Sequence, residues 1–260
     1  MEELLQQVSD KLKNRLIFIL KYFALSAIII AIWEYASLSG HLPPYVLPSP
    51  SGIVNLFVKY MSDGSLIKHM LASMWRVLMG FTIAAVVAIT LGVLISLSKN
   101  FEVFTRMILQ VLKPIPPIAW IPIAIIWLGI AEPSKIFIIF IGAVFPILLN
   151  TVDGIKQIDG RFWEVSRTFE VPYAKFVKKV VIPGALPQIL TGLKIGLNNA
   201  WICVVASEMI AATKGIGYML MDGRSLAQPG KVVLAMLIVG IIGKLMEDAL
   251  RFVERKVSYN

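Results

Sequence analysis

Charged residues vanish from long stretches of this chain. Val86–Leu97 holds none, and neither does Ile136–Asn150. Apolar runs of this kind, separated by polar segments, predict six membrane-spanning helices over about 16–37, 70–97, 107–130, 135–151, 185–211 and 231–250. Two of these spans depart from a plain greasy helix. The third contains Pro114, Pro116, Pro117 and Pro122, and each proline removes a backbone donor, so a kinked segment packed against other spans or against a cavity is expected. The fifth carries Lys194, Asn198, Asn199 and Glu208 inside its apolar run. Gly192, Gly196 and Ala200 recur at four-residue spacing on one of its faces, and Ala84, Ala88 and Gly92 do the same in the second span. Such stripes predict close helix packing.

Polar groups within a bilayer are costly and face a bundle interior or an aqueous path. Arg76, Lys194, Asn198, Asn199 and Glu208 are therefore the candidate pathway residues. Asn198 and Asn199 fit pathway lining or hydrogen bonding between helices. Glu208 fits a structural role near the outer interface. Arg76 lies near enough to the end of its span to snorkel.

Composition agrees with the pattern. The chain of 260 residues is 57% hydrophobic and 16% charged, with a mean hydropathy of +0.78. Average soluble domains are less apolar and more charged. Its one cysteine, Cys203, lies in an apolar run and reads as a buried thiol. The net charge of +9 becomes informative once it is sorted by side. With the N-terminus inside, fifteen Lys and Arg fall in inside segments: Lys11, Lys13 and Arg15; Lys99, Arg106 and Lys113; Lys156, Arg161, Arg167, Lys175, Lys178 and Lys179; Arg251, Arg255 and Lys256. Fewer fall outside, among them Lys59, Lys135, Lys214, Arg224 and Lys231. That bias predicts both termini in the cytoplasm and explains the charge without nucleic acid. The first run, preceded by basic residues but lacking a clear cleavage site, reads as a retained span. Outside, Ser51 is expected to cap a short helix with an apolar face of Ile53, Val54, Phe57, Val58 and Met61.

Catalytic chemistry is missing. No G-x-x-x-x-G-K-[ST] occurs, the nearest string being "GIIGKL" from Gly240. His41 and His69 are the only histidines, and no nucleophile triad or zinc ligand set can be assembled. A conduit, driven from elsewhere, is the class that remains.

The segment 152–184 is charged, faces the cytoplasm in this topology, and interrupts two spans. It contains Glu164-Val165-Ser166, Glu170 after three residues, and Val180-x-Ile182-Pro183 after nine more. This resembles the cytoplasmic E-A-A loop of binding-protein-dependent ABC importer permeases, with pattern E-A-A-x3-G-x9-I-x-L-P. Further strings resemble the nitrate/sulfonate/taurine/bicarbonate branch: "LPSPS" at Leu47, "KPIPPIAWIPIAIIWLGI" at Lys113, "SKIFIIF" at Ser134, "FPILLNT" at Phe145, "PGALPQILTGLKIGL" at Pro183 and "ASEMIAATKGIGYML" at Ala206.

The resemblance implies an all-α, type I ABC importer permease-like bundle forming a single transmembrane domain over 1–260, with 152–184 as its coupling loop. It implies a multi-pass protein of the prokaryotic plasma (inner) membrane that pairs with a second permease chain, as a homodimer. It further implies two cytoplasmic ABC ATPase subunits that hold the ATP and Mg, and an external solute-binding protein. The chain itself then needs no cofactor, hydrolyses no ATP and touches membrane lipid.

The implied cargo is a small anion of sulfonate, taurine, nitrate or bicarbonate type. A vitamin precursor or other heterocycle is the alternative, and a secondary transporter or channel, for which inverted repeats are expected, is a further one. Carried over onto this sequence, the coupling residues are Glu164, Val165, Ser166, Arg167, Phe169, Glu170, Pro172, Tyr173, Phe176 and Pro183. Phe169, Val171, Tyr173 and Phe176 are expected to offer apolar surface to a partner, and Pro172 to sit in the first turn of a helix. The family's glycine is Glu170 here. Either the turn uses ordinary angles or the backbone is strained.

Overall fold

The structure is a computed structural model that describes residues 24–40, 43 and 45–258. The start of the first expected span, Lys11, Lys13, Arg15 and His41 lie outside the described residues. Among the described residues there is no strand. The helices are α1 (Ala24–Leu38), α2 (Pro50–Ser62), α3 (Ser65–Leu97), α4 (Lys99–Leu112), α5 (Ile121–Leu128), α6 (Glu132–Lys156), α7 (Gly160–Thr168), α8 (Tyr173–Phe176), α9 (Ile182–Ala211), α10 (Ile216–Ser225) and α11 (Pro229–Ser258). A π-helical stretch, Val177–Val181, joins α8 to α9. The result is one helical run of 39 residues from Tyr173 to Ala211.

Among the described residues three helical runs are long and apolar enough to cross a membrane: α3, α6 and Tyr173–Ala211. The third expected span is not one continuous helix. It breaks after α4, and the segment Pro117–Leu128 leaves at 89° to it. Pro114, Pro116 and Pro117 cannot donate to the preceding turn, which is why the ladder ends there.

Helix α6 is the axis of the bundle, and its neighbours pack through the small-residue stripes. A Cβ on Gly80 would sit 2.6 Å from Ile139 Cγ2, and one on Gly92 would sit 2.7 Å from Thr151 Cγ2. Helices α3 and α6 therefore run parallel in close contact. On its other side α6 meets α9 antiparallel. A Cβ on Gly192 would lie 2.7 Å from Asn150 Cβ, and one on Gly142 2.4 Å from Cys203 Sγ. Ala84, Ala88 and Ala200 are fully buried in these seams. Helix α11 lies against α9, where the Trp201 indole donates to the Val239 carbonyl at 3.0 Å.

At α2 the structure corrects the sequence reading. Ser49, not Ser51, caps the helix, its hydroxyl accepting from the Gly52 N–H at 3.1 Å. Ser51 instead donates its hydroxyl and N–H to Glu34 at 2.6 and 3.0 Å, tying α2 to α1. Ile53 turns inward while Val54, Phe57, Val58 and Met61 stay exposed. Between α2 and α3, the Ser65 hydroxyl and N–H both donate to Asp63 and hold its carboxyl below the usual carboxylate range.

Candidate functional site

The segment after α6 builds a rigid projection. Asp159 caps α7, accepting from the Arg161 N–H at 2.9 Å. The helix ends in a Schellman turn. The Val171 N–H reaches the Ser166 carbonyl at 3.0 Å and the Glu170 N–H reaches the Arg167 carbonyl at 3.1 Å. This turn requires a left-handed residue, and Glu170 supplies it at φ 50°. The strained alternative is thus the one the chain adopts. An L-residue there costs about 1–2 kcal/mol. Glu170→Gly should therefore stabilise the protein by about 0.5–1 kcal/mol after the extra flexibility of glycine in the unfolded chain is subtracted. Thermal unfolding in detergent reads this, and a loss of stability would mean that the carboxylate makes a contact worth more than the strain.

Pro172 follows as the N-cap of α8, one position earlier than expected; its carbonyl accepts from the N–H of Lys175 and Phe176 at 2.9 and 3.0 Å. Phe176 does not face outward, which corrects the expectation that it offers surface to a partner. It is 4% exposed and packs edge-on against Trp163, ring centroids 4.8 Å apart. Ile155, Val181, Ala185 and Ile189 complete this small core, with Val171 half-buried against it. The projection is therefore anchored to α6 and α9.

The outward face carries Phe162, Val165, Phe169 and Tyr173, each more than half exposed and Phe169 at 75%. Glu164, Arg167, Glu170 and Lys175 are exposed around it, Ser166 is half-buried, and Pro183 is exposed in the first turn of α9. Phe162 is the residue the sequence reading missed. Its spacing of three and seven from Val165 and Phe169 is the signal that places it on their face.

The candidate pathway residues separate into three places. Arg76 and Glu208 meet in a buried cluster at the opposite end of the bundle. The Arg76 guanidinium donates to Glu208 at 2.6 Å, to Glu132 at 2.6 and 2.7 Å and to the Lys214 carbonyl at 2.6 Å. Glu208 also accepts from the Ser73 hydroxyl at 2.8 Å and the Gly217 N–H at 2.9 Å. Ser73 in turn accepts from the Ile216 N–H at 2.9 Å, and His69 Nδ1 from the Gly215 N–H at 3.1 Å. Lys135 lies 3.4 Å from Glu132, so two cations face two carboxylates. Arg76 does not snorkel; it is 4% exposed and Glu208 is 1% exposed. The cluster locks α3, α6 and α9 to the 212–217 turn. Gly215 and Gly217 make this possible, since a Cβ on Gly217 would sit 2.3 Å from the Val205 carbonyl oxygen.

Lys194 and Asn198 line a different feature, a cavity of about 330 Å³ between α9 and α11, with Thr191, Trp201 and Glu247. Lys194 Nζ is 3.9 Å from Glu254. Asn199 is half-buried away from this cavity, its carbonyl beside Gly142 of α6. The cavity is roomy, mixed in polarity and bordered by one lysine, so it can hold a small hydrated solute.

Known proteins share this plan. Residues 80–259 match the family described as binding-protein-dependent transport system inner membrane component. The putative aliphatic sulfonates transport permease protein SsuC of Bacillus subtilis is 37% identical over 238 residues, covering 92% of this chain and 86% of that one. The nitrate import permease protein NrtB of Synechocystis is 36% identical over 240 residues, covering 89% and 86%. A solved structure of the MetNI methionine ABC transporter in an inward-facing conformation superposes with a TM-score of 0.66 at 18% identity, over 74% of this chain and 95% of that one. The likeness in sequence, spacing and fold makes this chain a member of the binding-protein-dependent transport system inner membrane component family.

Proposed function

We propose that the chain forms the translocation pathway of an ATP-driven importer for a small anion of the sulfonate, taurine, nitrate or bicarbonate type. The observation that carries the coupling half of this reading is the apolar face of Phe162, Val165, Phe169 and Tyr173, held on the packed pair of half-buried Trp163 and buried Phe176. Exposed aromatics on a fixed base, rimmed by charge, are what a protein partner uses as anchors. The partners are two cytoplasmic ATPase subunits, which bind ATP and Mg²⁺ and dock on this face. A second copy of the chain completes the pathway, and an external binding protein delivers the cargo. Segment 152–184 and both termini are cytoplasmic. Lys194, Asn198 and Thr191 line the route, and the named relatives that carry sulfonates and nitrate support an anionic cargo.

The test is reconstitution with the ATPase subunits in proteoliposomes. Phe169→Ala should weaken ATPase association by about thirtyfold, the effect of losing a roughly 2 kcal/mol anchor, and depress ATP-driven anion uptake in step. Unchanged association and uptake would remove the docking role from this face. Uptake that ran on an ion gradient without the ATPase subunits would overturn the importer reading.

A further inference from the structure

A second cavity, of about 210 Å³, lies between α4 and α6, apart from the one lined by Lys194. Glu102, Arg106 and Lys156 border it near the coupling end, and Gln110 and Lys113 border it further along α4, beside Leu148 of α6. Glu102 is already engaged, with Lys156 at 2.6 Å and Arg106 at 3.5 Å. Lys113 has no acid within ion-pair distance among the described residues. It lies eleven residues beyond Glu102, about 16 Å along the helix.

The arrangement follows a pattern. Arg106, Gln110 and Lys113 recur at i, i+4 and i+7 and share one face of α4. Phe104, Met107 and Val111 lie on the other side and are exposed, as a lipid-facing surface is. The helix C-terminal dipole favours a cation at Lys113 but does not account for Arg106 and Gln110 one and two turns back. All three are exposed in the single chain, and charged side chains beside such an apolar surface face water or a partner charge. The lining has three cations against one committed carboxylate, so the missing charge is negative. The volume equals about seven waters, enough for a small oxyanion with part of its hydration.

We propose that this cavity binds a small oxyanion, with the Arg106 guanidinium, the Gln110 amide and the Lys113 ammonium donating to its oxygens. As a station for cargo the site rests on the importer reading; as a site it does not. The phosphate of an anionic phospholipid offers the same chemistry, and the experiment separates the two sources.

The full transporter, with its ATPase subunits, is placed in phosphatidylcholine nanodiscs. Cys203→Ala removes the one native cysteine, and Thr105→Cys, which lines the cavity without being a proposed donor, becomes the reporter. A charged, membrane-impermeant methanethiosulfonate should label Thr105→Cys about tenfold faster or more than Met107→Cys on the lipid-facing side. Nitrate or methanesulfonate should slow that labelling about threefold or more against matched chloride. Adding Arg106→Gln and Lys113→Gln should abolish the protection. Protection by phosphatidylglycerol with no soluble anion present identifies the lipid headgroup as the source and also supports the site. No labelling of the cavity, no protection from either source, or protection that survives both substitutions overturns it. Leu109→Cys replaces the reporter if Thr105→Cys does not assemble. ATP-driven uptake by the cysteine-free parent, measured in parallel, keeps the two readings apart: uptake without protection defeats the site alone, and protection without uptake defeats the importer reading alone.

Discussion

Replacing Glu208 with alanine should cost the fold about 3–5 kcal/mol, the range for removing one partner of a buried ion pair. The geometry explains why so much hangs on one carboxylate. Its two oxygens accept from Arg76, Ser73 and the Gly217 N–H. Without them the Ser73 hydroxyl and the Gly217 N–H lose their acceptor, at about 1–3 kcal/mol each. Arg76 keeps Glu132 and the Lys214 carbonyl but loses its link to α9. Glu208→Gln, which retains an acceptor, should cost visibly less. Unfolding in mixed micelles with rising dodecyl sulfate, followed by circular dichroism, measures both variants. A midpoint for Glu208→Ala equal to that of the parent would show that the cluster contributes nothing to stability.

The second large effect is steric. Gly192→Leu should destabilise the bundle by about 3 kcal/mol, the upper part of the range for overpacking a tight site. The first added carbon would lie 2.7 Å from Asn150 Cβ and 3.2 Å from the Ile147 backbone, so α9 must move away from α6 as a body. Gly240→Leu is the matched control. A Cβ there meets nothing within 4 Å, and leucine favours helix over glycine by roughly 0.5–1 kcal/mol, so this change should be neutral or stabilising. The same unfolding assay reads both, and equal responses from the two glycines would refute the packing role of the α6–α9 seam.

Features set by local spacing were legible in the sequence. Small residues four apart announced the α3–α6 and α6–α9 seams, because helical periodicity alone puts them on one face. The proline cluster announced a broken third span, though not an 89° turn. Features set by distant partners were not legible. Arg76 and Glu208 are 132 residues apart, and no local pattern pairs them. Phe176 and Phe162 exchanged places for a different reason. The Schellman turn with its left-handed Glu170 breaks the helix between them, so a constant 3.6-residue period does not carry from α7 into α8. At Glu170 the residues left two conformations open. The Schellman bonds that select one of them run between backbone atoms, which side-chain identity does not reveal.

The seams of glycine and alanine around α6 also fix how the bundle responds to temperature. Lipid tails are about as apolar as the side chains they would replace, so parting α6 from α9 inside the bilayer transfers surface from protein to hydrocarbon and leaves its hydration almost unchanged. The heat-capacity change of unfolding arises from hydrating newly exposed surface. For these seams it is close to zero. Their free energy of separation therefore varies almost linearly with temperature, and they lack the low-temperature weakening that water-driven cores undergo.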